Sequence, residues 1–309
     1  MKRNPFSSTA LLAVTACLLW STAFVGVKIG LQFSGPLAFA GLRFMLSGLL
    51  LVPFWWKRRP ALRSVVDHAG LILRVACFQT FTLYGLFYFG MTLVPGALAA
   101  MVIGASPLVS AVLAHYLMVG DRMTRIKAAS IGLGLTGVSI LSVSRLPWAS
   151  AAGLLEFAGI GVLFLSNFSG ALGNIIVAGH RSDLEPVFLN SVQIFLGGLG
   201  LWGLSVPVEG PITIGMPWPF WISLLWLAFL SAAAFSIWFM LLRRPSVKVS
   251  ELNLWKFLIP VCGAILSWLL LPGEAPSFWP LTGMACIATA IVLFNAPALR
   301  GAVRRGPCR

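Results

Sequence analysis

The sequence predicts an all-α polytopic membrane protein, with ten transmembrane helices arranged as two inverted five-helix repeats. Three observations carry this expectation. Of 309 residues, 59% are hydrophobic and only 10% are charged, where a soluble domain carries about 25% charged residues. The apolar residues gather into runs of the length that crosses a bilayer, about 20 residues each. The lysines and arginines fall almost wholly in alternate connections between those runs.

The runs place spans at 9–29, 36–56, 69–90, 95–118, 127–144, 152–177, 186–206, 219–241, 248–271 and 278–296. Span 1 follows a basic start, as a signal peptide does, but its apolar stretch is too long and a second span follows at once, so a retained helix is expected. Pro36, Pro95, Pro186 and Pro219 sit at the starts of spans 2, 4, 7 and 8, where a missing N–H does least harm. Span 3 carries Gln79, Thr80, Tyr84 and Tyr88, span 6 Asn167, Gly170 and Asn174, and span 7 Asn190, Gln193 and Gly197. Span 5, "IGLGLTGVSIL", holds Gly132, Gly134 and Gly137, small residues that let helices approach closely. Span 9 contains Lys256, well inside its apolar run.

Charge supports the count. One set of connections holds Lys57, Arg58, Arg59 and Arg63, then Arg122, Arg125 and Lys127, then Arg181, then Arg243, Arg244 and Lys248. Both termini fall on the same side, with Lys2 and Arg3 and then Arg300, Arg304, Arg305 and Arg309; the other side holds Arg145 alone. Positive residues stay cytoplasmic, which puts both termini inside a cytoplasmic (inner) membrane. The net charge of +14 is thereby a topology signal, and no nucleic-acid partner is expected.

Motifs exclude several classes. Cys17, Cys77, Cys262, Cys286 and Cys308 form no CxxC pair, so neither a zinc site nor a disulfide framework is indicated. There is no G-x-x-x-x-G-K-[ST] loop, no HExxH and no GxSxG. No enzyme activity, catalytic residue, metal or cofactor is expected. None of the eight acidic residues lies at mid-membrane, so facilitated movement or exchange is at least as well supported as proton coupling.

An internal repeat organises the chain. In "ASPLVSAVLAHYLMVGDR" Pro107 precedes Asp121 by 14 positions, and in "LIPVCGAILSWLLLPGEA" Pro260 precedes Glu274 by 14. A shift of 153 superposes them. The halves are then residues 1–145 and 146–309, each of five spans, and an odd number makes the second enter from the opposite side.

The segments "LLWSTAFVGVKIG", "LRF", "ASPLVSAVLAHYLMVGDR" and "FLIPVCGAILSWLLLPGE" make the sequence resemble the EamA family of the drug/metabolite transporter superfamily, over nearly the whole chain. The resemblance implies a central cavity lined by spans 1, 3, 4, 6, 8 and 9, with spans 5 and 10 as scaffold or dimer contact, in a monomer or homodimer. It also implies secondary transport of small organic metabolites by alternating access. The leading expectation is efflux or facilitated transport of amino acids or similar solutes, the partners being that solute and the lipid bilayer. Sugar phosphates or nucleotide sugars are the alternative, and a membrane-embedded lipid-handling protein is a further one.

The candidate substrate-binding residues are Trp20, Gln79, Tyr84, Asn167, Asn174, Trp238, Asn253 and Lys256, with Pro107 and Pro260 as gating points. Lys256 either faces the pathway and attracts an anionic group, snorkels to the interface, or pairs with an acid such as Glu251. Helical spacing sets Asn253, Pro260, Gly263 and Ser267 on its side of span 9. Arg43, two turns inside span 2, is either a structural partner or a cavity cation. Tyr88, Lys28 and Trp148 are placed near the outer interface, as belt or snorkelling residues.

Overall fold

The computed structural model describes residues 5–117, 124–143, 151–180, 184–211, 215–244, 252 and 254–304. Asp121, Trp148, Glu251 and Asn253 lie outside the described residues. Among those described the chain is helical, without a strand. The helices are α1 (Pro5–Gly30), α2 (Pro36–Trp55), α3 (Leu62–Asp67), α4 (Ala69–Val75), α5 (Leu83–Leu93), α6 (Gly96–Ile103), α7 (Ser106–Leu117), α8 (Arg125–Val143) and α9 (Ala151–Gly179). Then come α10 (Pro186–Glu209), α11 (Trp218–Leu242), α12 (Leu258–Leu270) and α13 (Phe278–Arg304). A π-helical segment, Ala76–Thr82, joins α4 to α5, and a 3-10 segment, Leu254–Phe257, leads into α12.

Among the described residues, 7 stretches are long and apolar enough to cross a membrane: Thr9–Gly30, Pro36–Trp55, Ala69–Leu93, Gly96–Leu117, Gly153–Gly179, Pro186–Glu209 and Trp218–Leu242. Shorter apolar helical stretches, Ala128–Gly137, Leu258–Leu270 and Leu281–Ala290, fall within the other expected spans. Leu49, Phe89, Leu154, Phe229 and Leu269 stand on the outside of the bundle. In water such a surface would aggregate; in lipid it is the solvated face. The protein is a multi-pass membrane protein.

Pro36 and Pro186 open α2 and α10 at their first residues. Two helix starts, those of α2 and α6, are closed by carboxylates from far along the chain. Glu209 accepts from the N–H groups of Leu37 (2.7 Å) and Ala38 (2.9 Å). Glu274 accepts from those of Gly96 (2.6 Å) and Ala97 (2.9 Å). Each satisfies two amides that lack an intrahelical partner, with its charge at the positive end of the helix dipole.

Packing follows small residues. Helix α2 lies along α10, α8 along α13, and α1 against α11 and α12; α9 contacts α5, the π-segment and α7, while α12 contacts α6. In the α2–α10 seam an added Cβ would fall 2.6 Å from the Trp202 amide nitrogen at Gly41 and 2.7 Å from that of Met45 at Gly198. Backbone cannot yield there, so only glycine permits the approach. Of the span 5 glycines, Gly137 sits against the Gly283 carbonyl of α13 at 2.7 Å on the same measure, Gly134 against Leu108, and Gly132 has open space.

Spans 3 and 9, expected as continuous α-helices, are irregular instead. The π-segment frees a carbonyl at Phe78, which accepts from Ser169 Oγ of α9 at 2.7 Å. In span 9 a 3-10 segment, Leu254–Phe257, precedes the α-helix Leu258–Leu270, just before Pro260, whose ring denies the preceding turn a hydrogen bond. In span 4, α6 ends at Ile103 and α7 starts at Ser106, immediately before Pro107. The two interruptions meet, since a Cβ on Gly104 would lie 2.6 Å from Pro260 Cβ.

Candidate functional site

A cavity of about 120 Å³ lies inside the bundle, bounded by α1, α2, the π-segment, α5, α6, α7, α9, α11, the 3-10 segment and α12. One water needs only about 10–15 Å³ on a comparable measure, so the space admits a small organic solute. Its lining includes Trp20, Gln79, Tyr84, Asn167, Asn174, Trp238 and Lys256. Helix α2 adds Arg43, and Ser106, Ser110, Ser166, Phe24, Phe87 and Phe235 complete much of the wall. Among the described residues, spans 5, 7 and 10 contribute none to the lining.

Lys256 answers its own question of place. It stands on the 3-10 segment, and its Nζ is 4.8 Å from the Trp238 ring centre and 6.0 Å from that of Trp20. The negative faces of indoles attract an ammonium group at that range. The two rings meet edge to face at 5.1 Å, which fixes them as a pair. Its 3-10 setting removes Lys256 from the helical register that would align it with Pro260, Gly263 and Ser267. Those residues instead face protein: Gly263 lies against Phe24 and Ala100, and Ser267 beside Gly96.

Around this cation, several buried polar atoms have no hydrogen-bond partner. Trp20 Nε1 and Trp238 Nε1 are donors without acceptors, while Gln79 Oε1 and Asn174 Oδ1 are acceptors without donors. The donors come from the packed pair α1–α11 and the acceptors from the π-segment and α9. Ser47, Trp55 and Ser267 also carry such atoms, but away from the cavity. Buried polar atoms are paired in most proteins, and these four orphans all belong to residues that line the cavity. Asn167 differs: its Nδ2 donates to the Val102 carbonyl at 3.0 Å, holding α9 to α6.

Arg43 is the lining residue that sequence reasoning left between two roles, and it occupies both. It is 1% exposed. Its Nε donates to Ser231 Oγ at 2.9 Å and an Nη donates to Tyr88 Oη at 2.8 Å. The signal was a charge two turns inside a span. Tyr88 corrects the expectation of an interfacial belt residue: it is fully buried, because Arg43 needs an acceptor at that depth. Lys28 does not line the cavity, and neither do Pro107 and Pro260, though their neighbours Ser106 and Ile259 do. Thr80, Asn190 and Gln193 form a closed chain away from it. Thr80 Oγ1 donates to Gln193 Oε1 (2.8 Å), Gln193 Nε2 to Asn190 Oδ1 (3.0 Å), and Asn190 Nδ2 to Ser236 Oγ (3.1 Å).

A membrane-spanning bundle around a small, largely apolar cavity with a few polar groups and a buried cation on a helix interruption fits the class of membrane solute carriers. The model of the EamA-like transporter family matches residues 7–143 and 157–296, and the chain belongs to that family. It is 29% identical over 297 residues to "Uncharacterized transporter YvbV" of Bacillus subtilis (strain 168), covering 96% of this chain and 94% of that one. It is 28% identical to the "Probable amino-acid metabolite efflux pump" of Escherichia coli (strain K12), covering 91% of each. A solved crystal structure superposes with a TM-score of 0.69 at 18% identity, over 95% of this chain and 99% of its own, which bears on the fold.

Proposed function

We propose that this chain is a ten-span carrier of the inner membrane that moves amino acids or amino-acid-like solutes by alternating access, with both termini in the cytoplasm. The carrying observation is the cavity's chemistry. Lys256 with the free indole N–H groups of Trp20 and Trp238 suits a carboxylate. The free carbonyls of Gln79 and Asn174 suit an ammonium group. The side chain of the solute would meet Phe24, Phe87 and Phe235. A relative named as an amino-acid metabolite efflux pump supports both the solute class and outward movement.

Two halves, 1–145 and 146–309, related as inverted repeats, are supported by the neighbour relations. Exchanging span n with span n+5 turns the α1–α11 contact into the α9–α5 contact, and it leaves α2–α10, α8–α13 and α6–α12 as they are. The family model also matches in two successive stretches. Rocking of the halves would bend the bundle at the interruptions beside Pro107 and Pro260, which touch through Gly104.

Counterflow in proteoliposomes, with labelled amino acids, sugar phosphates and nucleotide sugars, tests this reading. Amino-acid exchange that falls at least tenfold in Lys256→Ala is the expected result. Movement of phosphorylated solutes alone would favour the alternative carrier, for which Arg43 supplies a second cavity cation. Movement of none of these solutes would remove the proposal.

A further inference from the structure

We propose that Arg43 is a second anion seat in the cavity, so that the carrier prefers amino acids with a second acidic group on a short aliphatic side chain. The proposal rests on reading the cavity as the transport site. A guanidinium stays charged under all ordinary conditions, and it has five N–H donors. Arg43 directs hydrogen bonds to neutral hydroxyls, Ser231 Oγ and Tyr88 Oη. The Ser231 hydroxyl spends its own hydrogen on the Leu227 carbonyl at 2.8 Å, so it offers Arg43 only a lone pair. Its Cζ lies 4.7 Å from the Phe44 ring centre, with the Tyr84 and Tyr88 rings at 5.6 and 5.8 Å.

These partners orient the cation without neutralising it. The carboxylates Glu209 and Glu274 are spent on helix starts. A charge held at this depth is costly unless an anion shares the site. Arg43 is one of the residues that line the cavity.

Lys256 is a separate seat, because it stands over Trp238 and Trp20 rather than over the Arg43 rings. Phe235 lies between the two groups, 5.3 Å from Trp20 and 6.1 Å from Tyr84, centre to centre. A solute that fits both seats has an acidic group at each end and methylenes against Phe235. The unpartnered carbonyls of Gln79 and Asn174 then take its ammonium group. Glutamate is a simple probe with all of these parts, and glutamine is its near-isosteric control.

The experiment is counterflow of labelled glutamate and labelled glutamine by the full chain in proteoliposomes, for wild type, Arg43→Gln and Arg43→Lys. Glutamate is expected to exchange at least tenfold faster than glutamine at equal low concentration in wild type. Arg43→Gln should erase the preference, so that glutamate and glutamine exchange at equal rates in that variant, while Arg43→Lys keeps part of it. Equal rates in wild type would overturn the second seat and leave the amino-acid reading standing. Equal loss of both solutes in Arg43→Gln would reduce Arg43 to a structural role and also overturn it. If Arg43→Gln does not fold, the wild-type ratio still decides. Movement of no amino acid at all would overturn this proposal together with the reading beneath it.

Discussion

Gln79 and Thr80 are neighbours in the chain, yet they lead into two different kinds of polar region. Thr80 opens a closed chain through Gln193 and Asn190 to Ser236, where each donor meets an acceptor within 3.1 Å. Gln79 is a cavity-lining residue, and its side-chain carbonyl, like that of Asn174, is left unmatched. Both regions are buried and both sit within the bundle. The difference teaches that polarity inside a span does not by itself mark a binding site. What marks it is a polar atom for which the protein supplies no counterpart, since leaving it unmatched is the costly arrangement.

Substitutions in the two regions should therefore fail in different ways. The largest effect is expected outside both, in the tight α2–α10 seam. Gly198→Leu would force a side chain onto the Met45 backbone, and overpacking of this kind costs about 1–3 kcal/mol or more. Loss of monodisperse protein on size exclusion is the expected outcome, whereas normal yield would mean that the α2–α10 seam is looser than described. Next come Gln79→Leu and Asn174→Leu. We expect at least about tenfold slower amino-acid exchange, or about 1.4 kcal/mol, with a thermal midpoint equal to or above wild type because an orphaned polar atom is removed. A lowered midpoint with unchanged exchange would make these residues structural.

Gln193→Leu should behave in the reverse sense. It strands Thr80 and Asn190 and costs about 1–3 kcal/mol of stability, seen as a lower melting midpoint, while exchange per folded molecule stays near wild type. A transport defect without a stability defect would draw Gln193 into the site. A small effect belongs to Glu209→Gln, which keeps one of the two acceptors at the α2 start, loses the other and removes the charge. About 0.3–1 kcal/mol is expected from the lost dipole interaction, measurable as a small midpoint shift that shrinks in high salt.

Much of the helical plan was legible in the sequence, because a bilayer imposes length and hydropathy on each span and proline marks the starts. The residues around the cavity were visible for a related reason. Trp20, Gln79, Tyr84, Asn174, Trp238 and Lys256 are polar or amphipathic in runs of leucine and phenylalanine, and such residues turn from lipid towards protein or water. What depth cannot give is azimuth. Arg43 stayed between two roles because its neighbours depend on how α2 is rotated against α5 and α11. Tyr88 was misjudged for the same reason: its distance from the span end suited an interfacial belt, and only the Arg43 guanidinium explains its burial. The π-segment left no mark, since "ACFQTFT" contains neither proline nor glycine and its cause lies in tertiary contacts with α9 and α10. The polar chain of Thr80, Gln193 and Asn190 looked much like the cavity stripe, because pairing is a property of three helices together.

The most direct test is equilibrium binding of a labelled amino acid to the purified carrier, comparing wild type with Lys256→Ala and Lys28→Ala. Both substitutions remove a lysine from the membrane domain, but only Lys256 borders the cavity. Binding is expected to weaken at least tenfold in Lys256→Ala and to stay within twofold of wild type in Lys28→Ala. Equal affinities in wild type and Lys256→Ala would contradict it, and the cavity between Trp20 and Trp238 would not be where the solute sits.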